Sequence, residues 1–191
     1  MSSQLSSSPR RSLNARQAET VGKLFDAASV LLEEVGHEQM TVRMVASRAG
    51  VSPATAYTYF ASKDHLFAEL FWRLLDSAPR PELRGRSAEK RMGEVARHLA
   101  ELIAGAPALA AAANKSLLAP DPDVHRLRAV IGGVWMERFR EALGPGADPD
   151  LLEALNCAFI GALLQAGMGF SSYNELAPML ARVVSAIMRG W

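Results

Sequence analysis

Apolar side chains recur at steps of three and four along most of this chain. From Thr20 onward, Val21, Leu24, Phe25, Ala28, Leu31, Leu32 and Val35 draw one stripe on a helix, and Gly36 follows where a C-cap belongs. Thr41 is a good N-cap for a short second helix with Val42, Val45, Ala46 and Ala49 on its buried face. Gly50 stops that helix, Val51 and Ser52 turn the chain, Ser52 can cap the next helix, and Pro53 falls where a missing N–H costs nothing. The third helix is predicted from Pro53 to about Phe60. Ser62 caps a fourth, to Ala78, with Asp64 in its first turn and Leu66, Phe67, Leu70, Phe71, Leu74 and Leu75 inside, before Pro79 and Pro81. Beyond Arg84 the spacing predicts helices over 87–103, 106–118, 123–143, 148–168 and 174–188, with prolines near their starts or between them. Period-two alternation is absent, so the chain is expected to be all-α, with about nine helices.

Composition narrows the picture. In 191 residues, 49% are apolar, enough for a packed core, and the formal net charge is only +1, so any anionic partner must be met by local placement of charge. Cys157 is the one cysteine and sits among Leu155, Ala158, Phe159 and Ile160, which predicts a small buried hydrophobe and a reducing compartment. The Ser-rich start, Met1 to Pro9, has no apolar core of a signal peptide, and the weakly polar stretch from Cys157 to Phe170 is too short to span a bilayer. A cytoplasmic protein with no membrane association is expected. His37, His65, His98 and His125 are too scattered for metal ligation, Gly132-Gly133 lies inside a helical pattern, and no carboxylate pair or Ser/His/Asp set emerges. No catalytic residue, metal or cofactor is called for.

The segment from Thr41 to Phe60 makes a specific physical demand. Two short helices must pack closely, so small residues are needed at the contact, and Ala46 and Ala56 supply them. The turn must bend sharply, and Gly50 is free to take a positive φ. The outer face of the third helix is then free to enter a DNA major groove. The run from Thr41 through Tyr57-Thr58-Tyr59-Phe60-Ala61-Ser62-Lys63-Asp64-His65-Leu66, with the helix before it, resembles the DNA-binding signature of the TetR family of transcriptional regulators. The resemblance covers about the first third of the chain. It implies an N-terminal three-helix helix-turn-helix domain over 17–62, preceded by a basic arm over 1–16, and a C-terminal helical bundle over 63–191 for ligand binding and dimerisation.

The matched positions suggest roles. Thr41 is placed to present its hydroxyl to a phosphate; Tyr59 resembles the family's phosphate-contacting aromatic, and Lys63 a second phosphate anchor. Arg43 and the outer face of the third helix, Pro53, Ala54, Thr55, Tyr57 and Thr58, are placed to meet base edges: Arg43 a guanine, Ala54 or Thr55 a thymine methyl; the cap residue Ser52 is a further DNA-binding candidate. Phe60 reads as core, and Arg48 as a solvated or internally paired charge. Arg10, Arg11 and Arg16 are candidates for a minor-groove or backbone contact. Residues 1–66 are barely basic: Arg10, Arg11, Arg16, Lys23, Arg43, Arg48 and Lys63 stand against Glu19, Asp26, Glu33, Glu34, Glu38 and Asp64. Affinity for a duplex therefore requires the positive groups on one face.

For the rest of the chain the resemblance implies a homodimer through the last two helices. The residues add their own support, because the helix over 148–168 is apolar on too many sides for one buried stripe. The interface residues expected are Leu151, Leu155, Ala158, Phe159, Ala162, Leu180, Val183, Val184 and Ile187. A pocket for a small hydrophobic effector is expected among Trp72, Leu75, Leu102, Leu117, Ile131, Trp135, Met136 and Phe139, with His98 and Asn114 to orient the ligand. The function expected is an effector-released repressor that binds a palindromic double-stranded operator.

Overall fold

The computed structural model describes residues 15–190. Within them the chain forms α1 (Ala15–Gln39), α2 (Val42–Arg48), α3 (Pro53–Tyr59), α4 (Lys63–Ser77), α5 (Ala88–Ala104), α6 (Pro107–Ser116), α7 (Pro122–Leu143), α8 (Pro149–Gly167) and α9 (Leu176–Gly190), with a 3-10 turn at Tyr173–Glu175. No strand occurs among the described residues, as the absence of alternation predicts. None of these helices is long and apolar enough to cross a membrane. The described residues divide into two compact units, one running up to Arg73 and including Ala111–Val130, the other made of Leu74–Ala110 and the described residues from Ile131 onward.

In the first unit α1 begins at Ala15, earlier than the apolar stripe announces, so Arg16 stands exposed in its first turn; Arg10 and Arg11 lie outside the described residues. Gly36 interrupts the helix with φ 73°, and one further turn follows. The stripe is buried as expected, from Val21 to Leu32. It meets Val42, Val45 and Ala46 of α2, and the core is completed by Phe60, Leu66, Phe67 and Phe71 together with Val124 and Leu127 of α7. The Phe60 ring packs edge-on against Phe25, centroids 5.2 Å apart, and the Arg73 guanidinium covers the Phe25 ring 4.4 Å from its centroid. Ser62 caps α4 by accepting from the His65 N–H at 3.0 Å, and its hydroxyl donates to Asp121 at 2.7 Å.

The second unit is a helical bundle. Its core takes Met92, Val95, Leu99 and Ile103 from α5, Ile131, Trp135 and Phe139 from α7, Leu151, Leu155 and Phe159 from α8, and Leu180 and Val184 from α9. The Phe159 ring is met edge-on by Trp135 at 4.5 Å and by Phe139 at 5.8 Å. Arg91 closes the end of α7 by donating to the carbonyl of Ala142 at 2.7 Å.

This packing sets two measurable expectations. Ala56 is fully buried where α3 meets its neighbours, so Ala56→Leu should overpack the contact and cost about 1–3 kcal/mol; Tyr57→Ala, on the same short helix but exposed, should stay within about 0.5 kcal/mol. Urea denaturation measures both. The second concerns pH. Burial first, and the Lys63 ammonium second, hold His37 below the usual histidine range, and burial does the same to His98. Below the ordinary histidine pKa the unfolded chain then binds more protons than the folded one, so stability present above about pH 6.5 is lost as pH falls. The melting temperature should drop between about pH 7.5 and about pH 5.5, and His37→Gln should flatten part of that drop.

Candidate nucleic-acid interface

The turn between α2 and α3 is built from local chemistry. Gly50 takes φ 68°, a left-handed conformation that side chains with a Cβ resist. Its N–H donates to the Ser47 carbonyl at 3.2 Å, and the Val51 N–H reaches back to Ala46 at 3.0 Å. This pair is a Schellman motif, which satisfies the last carbonyls of α2 and turns the chain in place. Val51, one residue on, sits at the position that packs back on the helix. Ser52 then accepts from the Thr55 N–H at 3.0 Å, and Pro53 occupies the first turn of α3. Thr41 caps α2 in the same way, accepting from the Met44 N–H at 3.2 Å. Both cap residues serve as the sequence predicts.

Only one residue of α3 is buried, Ala56. Pro53, Ala54, Tyr57 and Thr58 are exposed, with Tyr57 at 43%, and Thr55 and Tyr59 are half-buried. The Thr55 and Thr58 hydroxyls have local partners: Thr55 lies 2.8 Å from the Ser52 oxygen, and Thr58 donates to the Ala54 carbonyl at 2.9 Å. Among the described residues neither tyrosine hydroxyl of α3 has a hydrogen-bond partner.

The charges nearby are mostly paired within the unit. Arg48 grips both oxygens of Glu34, one at 2.7 Å, and so ties α2 to α1 as an internally paired cation. Lys115 pairs with Glu38, and Lys23 with Glu19 at 2.8 Å. Lys63 is half-buried, and its ammonium donates to the carbonyls of His37 at 2.8 Å and Glu38 at 3.5 Å. That structural role at the end of α1 has no signal in sequence spacing; an ammonium has three N–H groups, so one remains. Arg43 is exposed and makes no ion pair among the described residues.

The residues expected around an effector divide between the units. In the second, Leu75, Ile131, Trp135 and Phe139 are buried, and His98 and Leu102 are half-buried. Met136 is half-buried and lines a surface groove with Arg140, Pro145, Pro149 and Leu152. In the first, Trp72 is buried, and Asn114 and Leu117 are half-buried. The sequence reading misses Arg138, which is only 4% exposed. A signal existed: Arg138 stands three residues after Trp135 and seven after Ile131, inside the inward stripe of α7.

The residues expected at a dimer interface fall into two groups within the protomer. Leu151, Leu155, Phe159, Ala162, Leu180 and Val184 are buried within the protomer, and Ala158, Val183 and Ile187 are half-buried. What α8 leaves uncovered is another side: Cys157 and Ile160 are exposed, Gly161 and Leu164 half-buried, and Met168 and Phe170 exposed beyond them. Cys157 is thus an exposed free thiol and not the buried hydrophobe expected. The reason is that α8 is apolar around nearly its whole circumference, so its neighbours do not reveal which side faces in.

The family model described as bacterial regulatory proteins, tetR family, matches residues 24–70, from the middle of α1 into α4. An HTH-type transcriptional regulator of Mycobacterium tuberculosis is 43% identical over 181 residues, covering 94% of this chain and 85% of its own. Among solved structures, a TetR transcriptional regulator from Rhodococcus sp. RHA1 superposes with a TM-score of 0.71 at 22% identity, over 93% of this chain and 99% of that one. Thermus thermophilus FadR, a TetR-family transcriptional repressor solved in complex with lauroyl-CoA, superposes with a TM-score of 0.66 at 21% identity, over 89% of this chain and 94% of its own. With its helix-turn-helix and the neighbouring helices in this arrangement, the chain belongs to the TetR family of transcriptional regulators.

Proposed function

We propose that this regulator is a repressor that binds a palindromic operator as a homodimer and is released by a small hydrophobic effector. The observation that carries the reading is the state of α3: it is held through Ala56 and the adjoining Phe60 while Pro53, Ala54, Tyr57 and Thr58 face solvent. A helix held by one edge is free to lie in a major groove. Arg43, with no internal counter-charge among the described residues, reads a guanine, and Ala54 and Thr55 meet thymine methyls. Thr41, Ser52, Tyr59 and the remaining N–H of Lys63 contact phosphates. In this reading Arg10 and Arg11 of the N-terminal arm, and Arg16 in the first turn of α1, add backbone contacts.

Dimerisation is proposed through the apolar surface that α8 and α9 leave uncovered, with Ile160, Gly161, Val183 and Ile187 at its centre. The side chains buried in the protomer, such as Phe159 and Leu155, support this surface from beneath. Two copies related by a two-fold axis present two α3 helices to successive major grooves, about 34 Å apart. The effector reading draws on the apolar interior of the second unit and on the acyl ligand of the Thermus relative. α4 begins in the first unit and ends in the second; an effector that favours one setting of this helix changes the spacing of the recognition helices. It can do so only by its difference in affinity for the two states.

Electrophoretic mobility shift with promoter DNA tests the reading. Tyr59→Phe and Lys63→Ala should weaken binding to every sequence, with Lys63→Ala lowering the salt slope by about 1, whereas Thr55→Ser, which removes the methyl and keeps the hydroxyl, should cost about 0.8 kcal/mol at particular thymine positions only. Thermal melting of Lys63→Ala separates lost phosphate contact from a loosened α1. Equal, sequence-independent losses in all three variants would contradict the division into anchors and readers. For assembly, sedimentation of the wild type should give a dimer, and Ile160→Glu should give a folded monomer that loses operator affinity; a wild-type monomer at micromolar concentration removes the two-fold reading.

A further inference from the structure

Arg138 occupies a position on α7 where the helical pattern calls for an apolar residue. It is 4% exposed, and its one hydrogen bond among the described residues runs from Nη2 to the Leu75 carbonyl, at 3.2 Å. Its Nε and Nη1 have no partner there. Two of the surface carboxylates near it are engaged elsewhere: Glu141 and Glu137 pair with Arg80 at 2.6 and 3.6 Å. Together with Asp76 they act on Arg138 only at a distance, and the Arg80 charge opposes them. A buried cation left without a contacting anion is a costly arrangement that folding alone does not explain.

The surroundings carry the same signature. Trp135 lies one turn before Arg138 on the same face and is buried with its indole N–H unpartnered among the described residues. From α5, His98 is close enough for the Arg138 charge to act on it. Burial first and that charge second hold its imidazole below the usual range, and it bonds the Pro79 carbonyl. Its Nε2 is buried without a partner. Three polar side chains of the second unit thus keep unfilled hydrogen-bonding capacity: Trp135 and Arg138 three residues apart on α7, and His98 of α5 near the Arg138 charge.

We propose that Arg138 is the anion-binding residue of the effector site, and that with the Trp135 N–H it holds the carboxylate of an apolar acid. This rests on the reading that the second unit binds an effector, and it specifies that effector's head group. The planar guanidinium offers Nε–H and Nη1–H to a carboxylate, the indole adds a third donor, and the apolar body of the ligand lies among the aliphatic and aromatic side chains. A neutral alcohol or ester of the same chain length cannot discharge the buried cation. A coenzyme A thioester carries its charge on phosphates far from its acyl chain and leaves the guanidinium equally unpaired.

The test uses the full-length protein and matched pairs of octanoic, dodecanoic and hexadecanoic acid against the corresponding alcohols, with dodecanoyl-CoA alongside. Binding is followed by calorimetry and by Trp fluorescence. The wild type should prefer at least one acid over its alcohol by about tenfold to a hundredfold, the range expected of hydrogen bonds to a charged group. Arg138→Met should abolish that preference while retaining the alcohol. The same variant should melt at a higher temperature than the wild type, since it removes an uncompensated buried charge; an arginine kept only to cap the Leu75 carbonyl would lower it. Equal binding of acid and alcohol, preference for dodecanoyl-CoA over dodecanoic acid, or a preference that survives in Arg138→Met overturns the proposal and leaves the effector reading standing. No binding of any acid, alcohol or thioester overturns both.

Discussion

The DNA-facing half of this regulator depends on a contact between small side chains. α3 has seven residues, too few to persist alone in water, where the cost of nucleation outweighs so few hydrogen bonds. It buries one methyl group, Ala56, and is followed at once by the fully buried Phe60. Burial of that ring contributes roughly 1.5–3 kcal/mol, and the Ser52 cap about 1 more. These, with the Schellman turn at Gly50, hold the helix at one edge. A larger residue at position 56 would lift it, and a residue with a Cβ at position 50 would strain the turn. Because the anchors lie on one side, the other side is available for recognition.

Electrostatics in the same unit is directed inward. Arg48 with Glu34, Lys115 with Glu38 and Lys63 with the carbonyls that end α1 fasten helices to one another. The two exposed ion pairs contribute little stability each, but all three interactions occupy cations that would otherwise make the surface basic. The near-neutral balance of the N-terminal segment and the internal use of its charges are two views of one fact. A duplex bound by such a surface would be held by hydroxyls, backbone N–H groups and a few well-placed cations such as Arg43 more than by a broad positive field.

The second unit handles polar groups in the opposite way. Its interior is apolar enough to seal them from water, which makes each unpaired polar atom there consequential. Arg138, Trp135 and His98 are therefore the informative residues of the bundle, while the surrounding leucines serve any well-packed core. The same abundance of apolar side chains gives α8 two faces. One supplies Leu151, Leu155 and Phe159 to the protomer; the other leaves Ile160 and its neighbours uncovered.

Features governed by neighbours in the chain are legible in the amino-acid order alone. The apolar stripe of α1, the caps Thr41, Ser52 and Ser62, the positive φ at Gly50 and the helical class all follow from interactions within a few residues, and the 41–66 run points to the family. Tertiary structure decides the rest: segment 111–130 joining the first unit, Lys63 reaching the carbonyls of α1, the exposure of Cys157 and the burial of Arg138. Each depends on which of two chemically similar helix faces meets which partner across long stretches of sequence. Periodicity identifies a face; only packing chooses its neighbour.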